Sequence, residues 1–185
     1  KVKSDLRDLG VRIFCDLSFS IHIENTVISA SKLVGWGLRT FWGRGRLVML
    51  TLLKSLVQPK LDYCSQLWSP GDQTSINKIE AVQHHLLNRI KDKRLVDLNY
   101  WEKLKELKLY SQERRRERYQ VIFLWKISQG LVSGYDVNFT SGGTRRGRMI
   151  IPNPVDKSSP SVVRRARENS LGVKGAQLFN LLPDS

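Results

Sequence analysis

The sequence predicts a mainly α-helical fold: a small helical bundle preceded by a short β element and followed by a helical and loop-rich C-terminal region. Two long segments repeat apolar residues at three- and four-residue steps, and a third is apolar nearly all round. Residues 6–14 are a short apolar run with Gly10 inside, whereas residues 137–170 are rich in glycine, proline and serine and are expected to be loops. The chain has 185 residues, 41% of them hydrophobic, and is long enough to bury a core.

The bundle is predicted to contain three long helices. The first runs from about residue 20 to residue 41, and its buried stripe comprises Ile23, Val27, Ala30, Val34, Leu38 and Phe41. Gly35 and Gly37 weaken this helix and indicate either a bend or the close approach of another helix. The second, residues 46–57, has the pattern of a central core helix. Pro59 is expected to end it, and a short helix and the third long helix then follow to about residue 90.

Helix signals continue in the C-terminal half of the chain. Residues 91–98, rich in Lys, Arg and Asp, are interpreted as a hinge. Asn99 has the position of an N-cap with an acid three residues later, and Ser111 can cap a longer helix that Gly130 ends. A last short apolar helix is predicted from residue 173 to residue 182. Four aromatic side chains are expected in the core: Trp68, Trp101, Trp125 and Phe179.

Positive charge is distributed along the whole chain. Lys and Arg number 31 against 17 Asp and Glu, which gives a net charge of +14. Residues 1–99 contribute +6 and residues 100–185 contribute +8, so the excess is not confined to a tail. Such a surface suits a long polyanion such as nucleic acid, and a basic domain without such a partner is the alternative. An anionic membrane would require a basic helix with a continuous apolar face, and none is predicted.

Cysteine content and hydropathy indicate an intracellular location, in the nucleus, the cytoplasm or both. Cys15 and Cys64 are too few for a disulfide framework, and Cys64 is expected to be a buried structural thiol. No apolar run approaches the roughly 20 residues that a membrane span needs, and no charged start followed by an apolar stretch resembles a signal peptide, so secretion is not expected. The first residue is Lys1, and the chain is interpreted as part of a longer protein.

The sequence predicts no catalytic centre and no metal site. Two-metal nucleotidyl transfer needs clustered carboxylates, but the ten aspartates are scattered and none are adjacent. No glycine-rich phosphate-binding loop is present. His84 and His85 are neighbours, so on a helix their side chains diverge by about 100° and cannot chelate one metal together. Neither a cofactor nor a small-molecule ligand is therefore expected for this chain.

Several segments, in order, resemble the end of a reverse transcriptase. The stretch that closes the palm in non-LTR retrotransposon enzymes, above all in jockey-like and chicken-repeat-like LINE elements, is similar to Leu9-Gly10-Val11 with Asp16-Leu17-Ser18-Phe19 and His22-Ile23. The thumb signature of that family resembles residues 52–70 (LLKSLVQPKLDYCSQLWSP), and its next helix resembles residues 76–83 (INKIEAVQ). The region beyond the thumb resembles residues 102–118 (EKLKELKLYSQERRRER), Arg164 to Asn169, Val173-Lys174-Gly175-Ala176 and Leu181-Leu182-Pro183.

The resemblance implies a fragment of an RNA-directed DNA polymerase in three parts. These are the end of the palm (residues 1–20), the thumb helical bundle (21–92) and a C-terminal helical and basic-loop region (93–185). It also implies a partner polymerase core N-terminal to Lys1, which would hold the catalytic aspartates and their Mg²⁺. The thumb of such an enzyme clamps the template–primer, so RNA, DNA or an RNA–DNA hybrid is the implied partner. His84 and His85 depart from the family, which often has paired basic residues there.

A clamp needs cations that follow phosphates without reading bases. On the first two helices the candidates are Lys32, Arg39, Arg44, Arg46 and Lys54, and Trp42 beside them is either a base-stacking residue or a core residue. On the helix after Ser111 the candidates are Arg114, Arg115 and Arg118, or alternatively this is a solvated helix start paired with its own glutamates. In the loops the candidates are Arg145, Arg146 and Arg148, with Arg164, Arg165 and Arg167 similar; a basic linker is the alternative.

The expected function is therefore backbone binding of template–primer nucleic acid within a reverse transcriptase. The isolated chain is expected to have no polymerase activity. Two alternatives stay open: a folded remnant of a truncated element without a selected function, and a stand-alone module that binds nucleic acid or protein. A protein-interaction scaffold would predict a conspicuous exposed apolar patch.

Overall fold

The computed structural model describes residues 5–14, 18–134, 150–152, 154–155, 158 and 160–182. It confirms the predicted fold class, because the described chain is mainly helical with one small sheet near the N-terminus. The strands are β1 (Asp5–Asp8) and β2 (Val11–Phe14). The helices are α1 (Ser20–Thr40), α2 (Arg46–Leu52), α3 (Gln58–Asp62), α4 (Ser65–Trp68), α5 (Gln73–Leu87), α6 (Tyr100–Glu106), α7 (Gln112–Ser128), α8 (Ser161–Glu168) and α9 (Ala176–Asn180).

Strands β1 and β2 form an antiparallel hairpin where the sequence predicted a single short strand. The turn consists of Leu9 at φ 44° and Gly10 at φ 88°. Two-residue hairpin turns of the type that matches strand twist require positive φ at both positions, and leucine is an unusual residue there. The Tyr63 hydroxyl donates a hydrogen bond of 2.8 Å to the Leu9 carbonyl, which ties the turn to the helical bundle. This long-range contact explains why local sequence rules missed the hairpin.

The close helix approach predicted at Gly37 is confirmed. A Cβ atom at this position of α1 would overlap the Leu52 side chain at the end of α2. Both residues are buried in the larger of two cores, where Ile23, Ala30 and Val34 of α1 also lie. Glycine is therefore favoured at residue 37, because any side chain would displace the packed Leu52 side chain. Gly35 faces more open space, since the nearest atom to a Cβ there is the Arg39 Nη1 at 3.7 Å.

This contrast gives a matched pair of substitutions. We expect Gly37→Ala to lower the free energy of unfolding by about 1–3 kcal/mol, because the added methyl group overpacks the α1–α2 contact. Gly35→Ala should leave stability unchanged or raise it by up to about 1 kcal/mol, since alanine is the better helix former. Urea unfolding of both variants measures the difference. Equal effects of the two substitutions would contradict the packing account.

The helix that follows is continuous from α2 to α3 but is not wholly buried. A π-helical turn over Leu53–Val57 joins the two segments, so Pro59 does not end the helix as predicted. The wider turn accommodates the proline ring, which would otherwise meet the preceding carbonyl groups. Met49, Leu52, Leu53 and Val57 lie in the core. Residues 46–57 were predicted to form a central core helix. This prediction is wrong for one face of the helix, because Leu47 is 80% exposed.

Helix α4 brings a tryptophan into the core beneath the hairpin. Trp68 is 1% exposed, as predicted, and its indole Nε1 donates to the Tyr63 carbonyl at 2.8 Å. Its ring meets the His22 ring edge-on, with 5.2 Å between the centroids. Cys64, predicted to be buried, is a half-buried free thiol with φ 52° at the start of α4.

The larger core extends beyond residue 92 into the C-terminal half of the chain. Leu95, in a 3-10 turn, and Leu104 and Leu107, in and after α6, are all buried in it, so the segment interpreted as a hinge contributes Leu95 to this core. The capping box of Asn99 and the N-cap of Ser111 are confirmed by their hydrogen bonds.

A second, smaller core lies between α7 and the C-terminal helices. It contains Leu124, Ile127, Ile150 and Ala176, with Phe179 packed against it. The predicted final helix is present as a π-helical turn (Leu171–Gly175) followed by α9, and α8 interrupts the region predicted as loops. The core prediction is wrong for two tryptophans, since Trp101 is 60% and Trp125 49% exposed.

Candidate nucleic-acid interface

The turn between α1 and α2 presents a tryptophan to solvent, with the half-buried Arg44 two residues beyond it. Trp42 is 94% exposed, so the interpretation of it as a core residue is wrong. Its neighbour Phe41 packs edge-on against Trp36, with 6.1 Å between the ring centroids, and this contact holds the end of α1 while Trp42 projects outwards. At Gly43 and at Gly45, no neighbouring atom lies within 4 Å of the position that a Cβ atom would occupy. Arg44 is therefore flanked by two uncrowded positions.

One backbone hydrogen bond joins this turn to a second basic segment. The Lys91 N–H donates to the Arg44 carbonyl at 2.8 Å, which places the segment after α5 beside the α1–α2 turn. The second segment carries the exposed cations Arg89, Lys91, Lys93 and Arg94. We call the combined area, residues 41–45 and 89–94, the loop surface. Its one acid, Asp92, accepts a hydrogen bond from the Arg94 backbone N–H at 3.0 Å.

Sequence reasoning missed the second half of the loop surface. Four basic residues lie within residues 89–94, but residues 91–98 were interpreted as a hinge. Ile90 and Leu95, on either side of residues 91–94, in fact enter the core while the cations remain in solvent. A short basic run anchored by buried apolar residues is therefore a fixed surface of positive charge.

Arg46 lies next to the loop surface but two of its donors are already engaged. Its Nη1 is 3.3 Å from the Glu106 Oε1, and its Nη2 donates to the Glu106 carbonyl at 2.9 Å. Glu106 ends α6, so the guanidinium neutralises both a carboxylate and the negative end of a helix dipole. Arg46 thus joins α2 to α6.

The remaining candidates on the first helices are exposed. Lys32 and Arg39 lie seven residues apart on α1, which places them on one face of that helix, and Lys54 lies on the π-helical turn. These cations extend positive charge beyond the loop surface.

The candidates on α7 divide into two groups. Arg114 is exposed and lies 3.9 Å from Glu117, and the guanidinium of Arg118 lies 5.9 Å from the Tyr110 ring centroid. Arg115 instead points inwards, where its Nη2 is 2.5 Å from the Asp62 Oδ2. Arg145, Arg146 and Arg148 lie outside the described residues, and so does the side chain of Arg165.

A buried polar interface between α5 and α7 is the largest feature that the sequence did not predict. The Glu80 carboxylate accepts hydrogen bonds from the Gln112 and Glu113 backbone N–H groups and from the Tyr100 hydroxyl. Arg116 is 1% exposed on the same side of α7. Burial lowers the Arg116 pKa, although several acids, Glu80 first among them, oppose that shift.

Residues that are distant in sequence meet at this interface. Asp62 comes from the end of α3, Glu80 and Gln83 come from α5, and Gln112 and Arg115 come from the start of α7. The Gln112 amide donates to Gln83, whose own amide donates to the Tyr110 carbonyl at 3.1 Å. These residues therefore hold the two halves of the chain together.

The described residues offer no catalytic metal centre. Within them, no three His, Cys, Asp or Glu side chains converge as metal ligands. No helix in the same part of the chain is long and apolar enough to cross a bilayer. Comparison of the chain with protein-family models, with curated proteins and with solved structures finds no match.

Proposed function

We propose that the chain binds the sugar–phosphate backbone of nucleic acid through the loop surface, without reading base sequence. The observation that carries this proposal is the Lys91–Arg44 backbone hydrogen bond, which unites two basic segments beside the exposed Trp42. Cations supply most of the affinity for a polyanion, and an exposed aromatic ring adds stacking on unpaired bases.

The setting for this activity is proposed to be a non-LTR retrotransposon reverse transcriptase, of which the chain would be the thumb and C-terminal region. The support is the ordered set of resembling segments together with a helical bundle that carries basic residues on its surface. Polymerisation would be carried out by an N-terminal core with its Mg²⁺. Primer extension by the isolated chain would argue against this division of labour.

The test is binding of a fluorescently labelled RNA–DNA hybrid, followed by anisotropy. We expect Arg44→Ala to weaken binding equally for hybrids of unrelated sequence and to reduce the slope of log affinity against log salt by about 1. Lys126→Ala is the charge-matched control, since this exposed residue lies near the end of α7 beside the second core. Equal losses for both variants would mean that only overall charge matters and that the loop surface is not the site.

A second candidate function is protein interaction, favoured by an apolar groove along α2. A cavity of about 280 Å³ is lined there by Phe41, Leu47, Val48, Thr51, Leu52, Ser55 and Leu56. The partner would be the N-terminal polymerase core. In a chain extended to include that core, Leu47→Asp should release the core from the bundle if the groove holds it, while RNA–DNA binding by the bundle itself should persist. Retention of the core by the variant would remove this candidate.

A further inference from the structure

A row of three rings begins on α5 and ends in an exposed tryptophan on α6. The ring centroids of His84 and Tyr100 are 4.7 Å apart, and those of Tyr100 and Trp101 are 5.2 Å apart. Tyr100 is fixed in place because its hydroxyl donates a hydrogen bond to the Glu80 carboxylate. Trp101 is 60% exposed at the second position of α6. Its ring is therefore supported by Tyr100 while much of its area remains in solvent.

Two lysines continue from Trp101 along the exposed side of α6. Lys105 lies four residues after Trp101 and Lys108 lies three residues further, a spacing that places side chains on one face of a helix. Both lysines are exposed. Lys108 has a φ of 52° just beyond the helix, where the Leu109 N–H donates to the Leu104 carbonyl at 2.9 Å. This helix ending fixes the direction in which the chain leaves α6.

An exposed tyrosine and an arginine follow where α7 begins. Tyr110 is 54% exposed, and its carbonyl accepts a hydrogen bond of 3.1 Å from the Gln83 amide. The same amide lies 3.3 Å from the Tyr100 hydroxyl, so Tyr110 and the ring that supports Trp101 adjoin one buried side chain. The Arg118 guanidinium lies 5.9 Å from the centroid of the Tyr110 ring, within the range of a cation–π contact.

Together these residues form one exposed area, which we call the aromatic surface and which comprises Trp101, Lys105, Lys108, Tyr110, Arg114 and Arg118. Arg114 lies four residues before Arg118 on the same face of α7, and its side chain is 75% exposed. Of the acids nearby, Glu102 is engaged in the capping box of α6 and Glu113 lies at the positive end of the α7 dipole. Glu117 lies 3.9 Å from the Arg114 guanidinium. The four cations leave a small positive excess over these three acids, so the aromatic rings are expected to contribute most of the affinity for a ligand.

The aromatic surface and the loop surface lie on different sides of α6. The Lys103 Nζ donates to the Asn88 side chain at 2.8 Å, and Glu106 holds Arg46, so these two residues of α6 face the loop surface. With 3.6 residues per turn, Lys103 and Glu106 are rotated by roughly 160° and 140° from Trp101 about the helix axis. A ligand on the aromatic surface therefore occupies a separate site.

We propose that the aromatic surface binds an unpaired stretch of nucleic acid, with bases stacked on Trp101 and Tyr110 and phosphates beside the four cations. Every base has a flat face that an aromatic ring can cover, so this binding does not require a particular sequence. In a duplex the neighbouring base pairs already cover those faces, so the surface fits a single strand better than a duplex. Binding here goes beyond the proposed function and does not depend on the loop surface.

The first experiment titrates the chain with a labelled oligonucleotide that has no self-complementarity and follows its anisotropy. We expect Trp101→Ala to weaken binding by about 5- to 150-fold, the range for loss of one stacked base, and Trp101→Phe to retain most of the affinity. Trp125→Ala is the matched control, because Trp125 is 49% exposed but lies on α7 beside the second core. Equal losses for Trp101→Ala and Trp125→Ala, or no binding by the folded unaltered chain, would overturn the proposal.

The arginines are tested through the salt dependence of the same titration. Arg118→Ala should reduce the slope of log affinity against log salt by about 0.7, the value for one phosphate contact on a single strand. Lys126→Ala removes the same charge eight residues further along α7 and should leave the slope unchanged. Identical slopes for the two variants would contradict phosphate binding at the aromatic surface.

A chain that carries both Trp42→Ala and Arg44→Ala separates the two surfaces. If Trp101→Ala still weakens single-strand binding in that background, the aromatic surface is supported, whether or not the loop surface binds a hybrid. If the two loop-surface substitutions alone abolish single-strand binding, the aromatic surface is excluded, and the proposed function stands.

Photo-crosslinking locates the bound bases without relying on affinity. An oligonucleotide that contains iodouracil becomes covalently joined on irradiation to the aromatic side chain on which that base stacks. Mass spectrometry of the digested chain should find the crosslink at Trp101 or Tyr110. Crosslinks confined to Trp42 would contradict the proposal.

Discussion

Replacing Glu80 with alanine is expected to lower the free energy of unfolding by about 1–3 kcal/mol, the range for leaving buried donors without their acceptor. Glu80 lies on α5, and its carboxylate accepts hydrogen bonds at 2.9–3.3 Å from two backbone N–H groups in the first turn of α7. Alanine would leave these donors and the Tyr100 hydroxyl without their acceptor. It would also remove negative charge from the positive end of the α7 dipole.

Arg116 makes this loss larger. Its guanidinium is 1% exposed, and none of its three nitrogens has a hydrogen-bond partner among the described residues. Glu80 is the first of the acids that stabilise its charge. Without Glu80, the buried Arg116 cation loses the first of the acids that stabilise its charge. Either the cation stays buried at a high desolvation cost, or α7 separates from α5.

Glu24→Ala is the matched control. Glu24 forms an exposed ion pair with Lys78 at 3.1 Å, and exposed pairs contribute roughly 0–1 kcal/mol. Urea unfolding of both variants compares a half-buried with an exposed glutamate at the same net charge. A difference of less than about 1 kcal/mol between them would show that the polar interface does not hold α5 and α7 together.

Trp42→Ala is expected to weaken binding of a hybrid with an unpaired template overhang by about 5- to 150-fold, since stacking on one base contributes about 1–3 kcal/mol. Trp42 is 94% exposed, so its removal should leave the stability of the fold unchanged. The exposed ring lies beside Arg44 and close to the cations of residues 89–94. It can therefore stack on a base while these cations bind the neighbouring phosphates.

Two controls separate base stacking from non-specific hydrophobic binding. Trp42→Phe keeps an aromatic face and should retain most of the affinity. Leu47→Ala removes another apolar side chain, 80% exposed and five residues away, and should have no effect. Anisotropy titrations with and without the overhang measure the stacking contribution. If Trp42→Ala binds the overhang as well as the unaltered chain does, Trp42 does not contact bases.

Local signals in the sequence predicted most of the fold. The spacing of apolar residues located α1 and α5, and capping residues located the starts of α6 and α7. These features depend on neighbours within a few residues, so they can be inferred without knowledge of the tertiary structure. Gly37 predicted either a bend or a close helix approach, because a glycine inside a helix has an energetic cost that another feature must offset.

The remaining features depend on contacts between distant residues. The charged run of α7 was expected to face solvent, but Arg115 and Arg116 turn inwards because Asp62 and Glu80 lie opposite them in the folded chain. Likewise, the loop surface exists because α5 ends next to the α1–α2 turn. Composition located basic residues, whereas only the structure brought Lys91 beside Arg44.

The central claim is tested most directly by titrating the unaltered chain with a labelled RNA–DNA hybrid at salt concentrations between about 50 and 200 mM. We expect micromolar or tighter binding at low salt and a linear fall of log affinity with log salt, with a slope of about −3.5 to −5.5, corresponding to some four to six phosphates. The slope should be the same for hybrids of unrelated sequence. A chain that is folded by circular dichroism yet fails to bind at 50 mM salt, or binds with a slope near zero, would contradict the account.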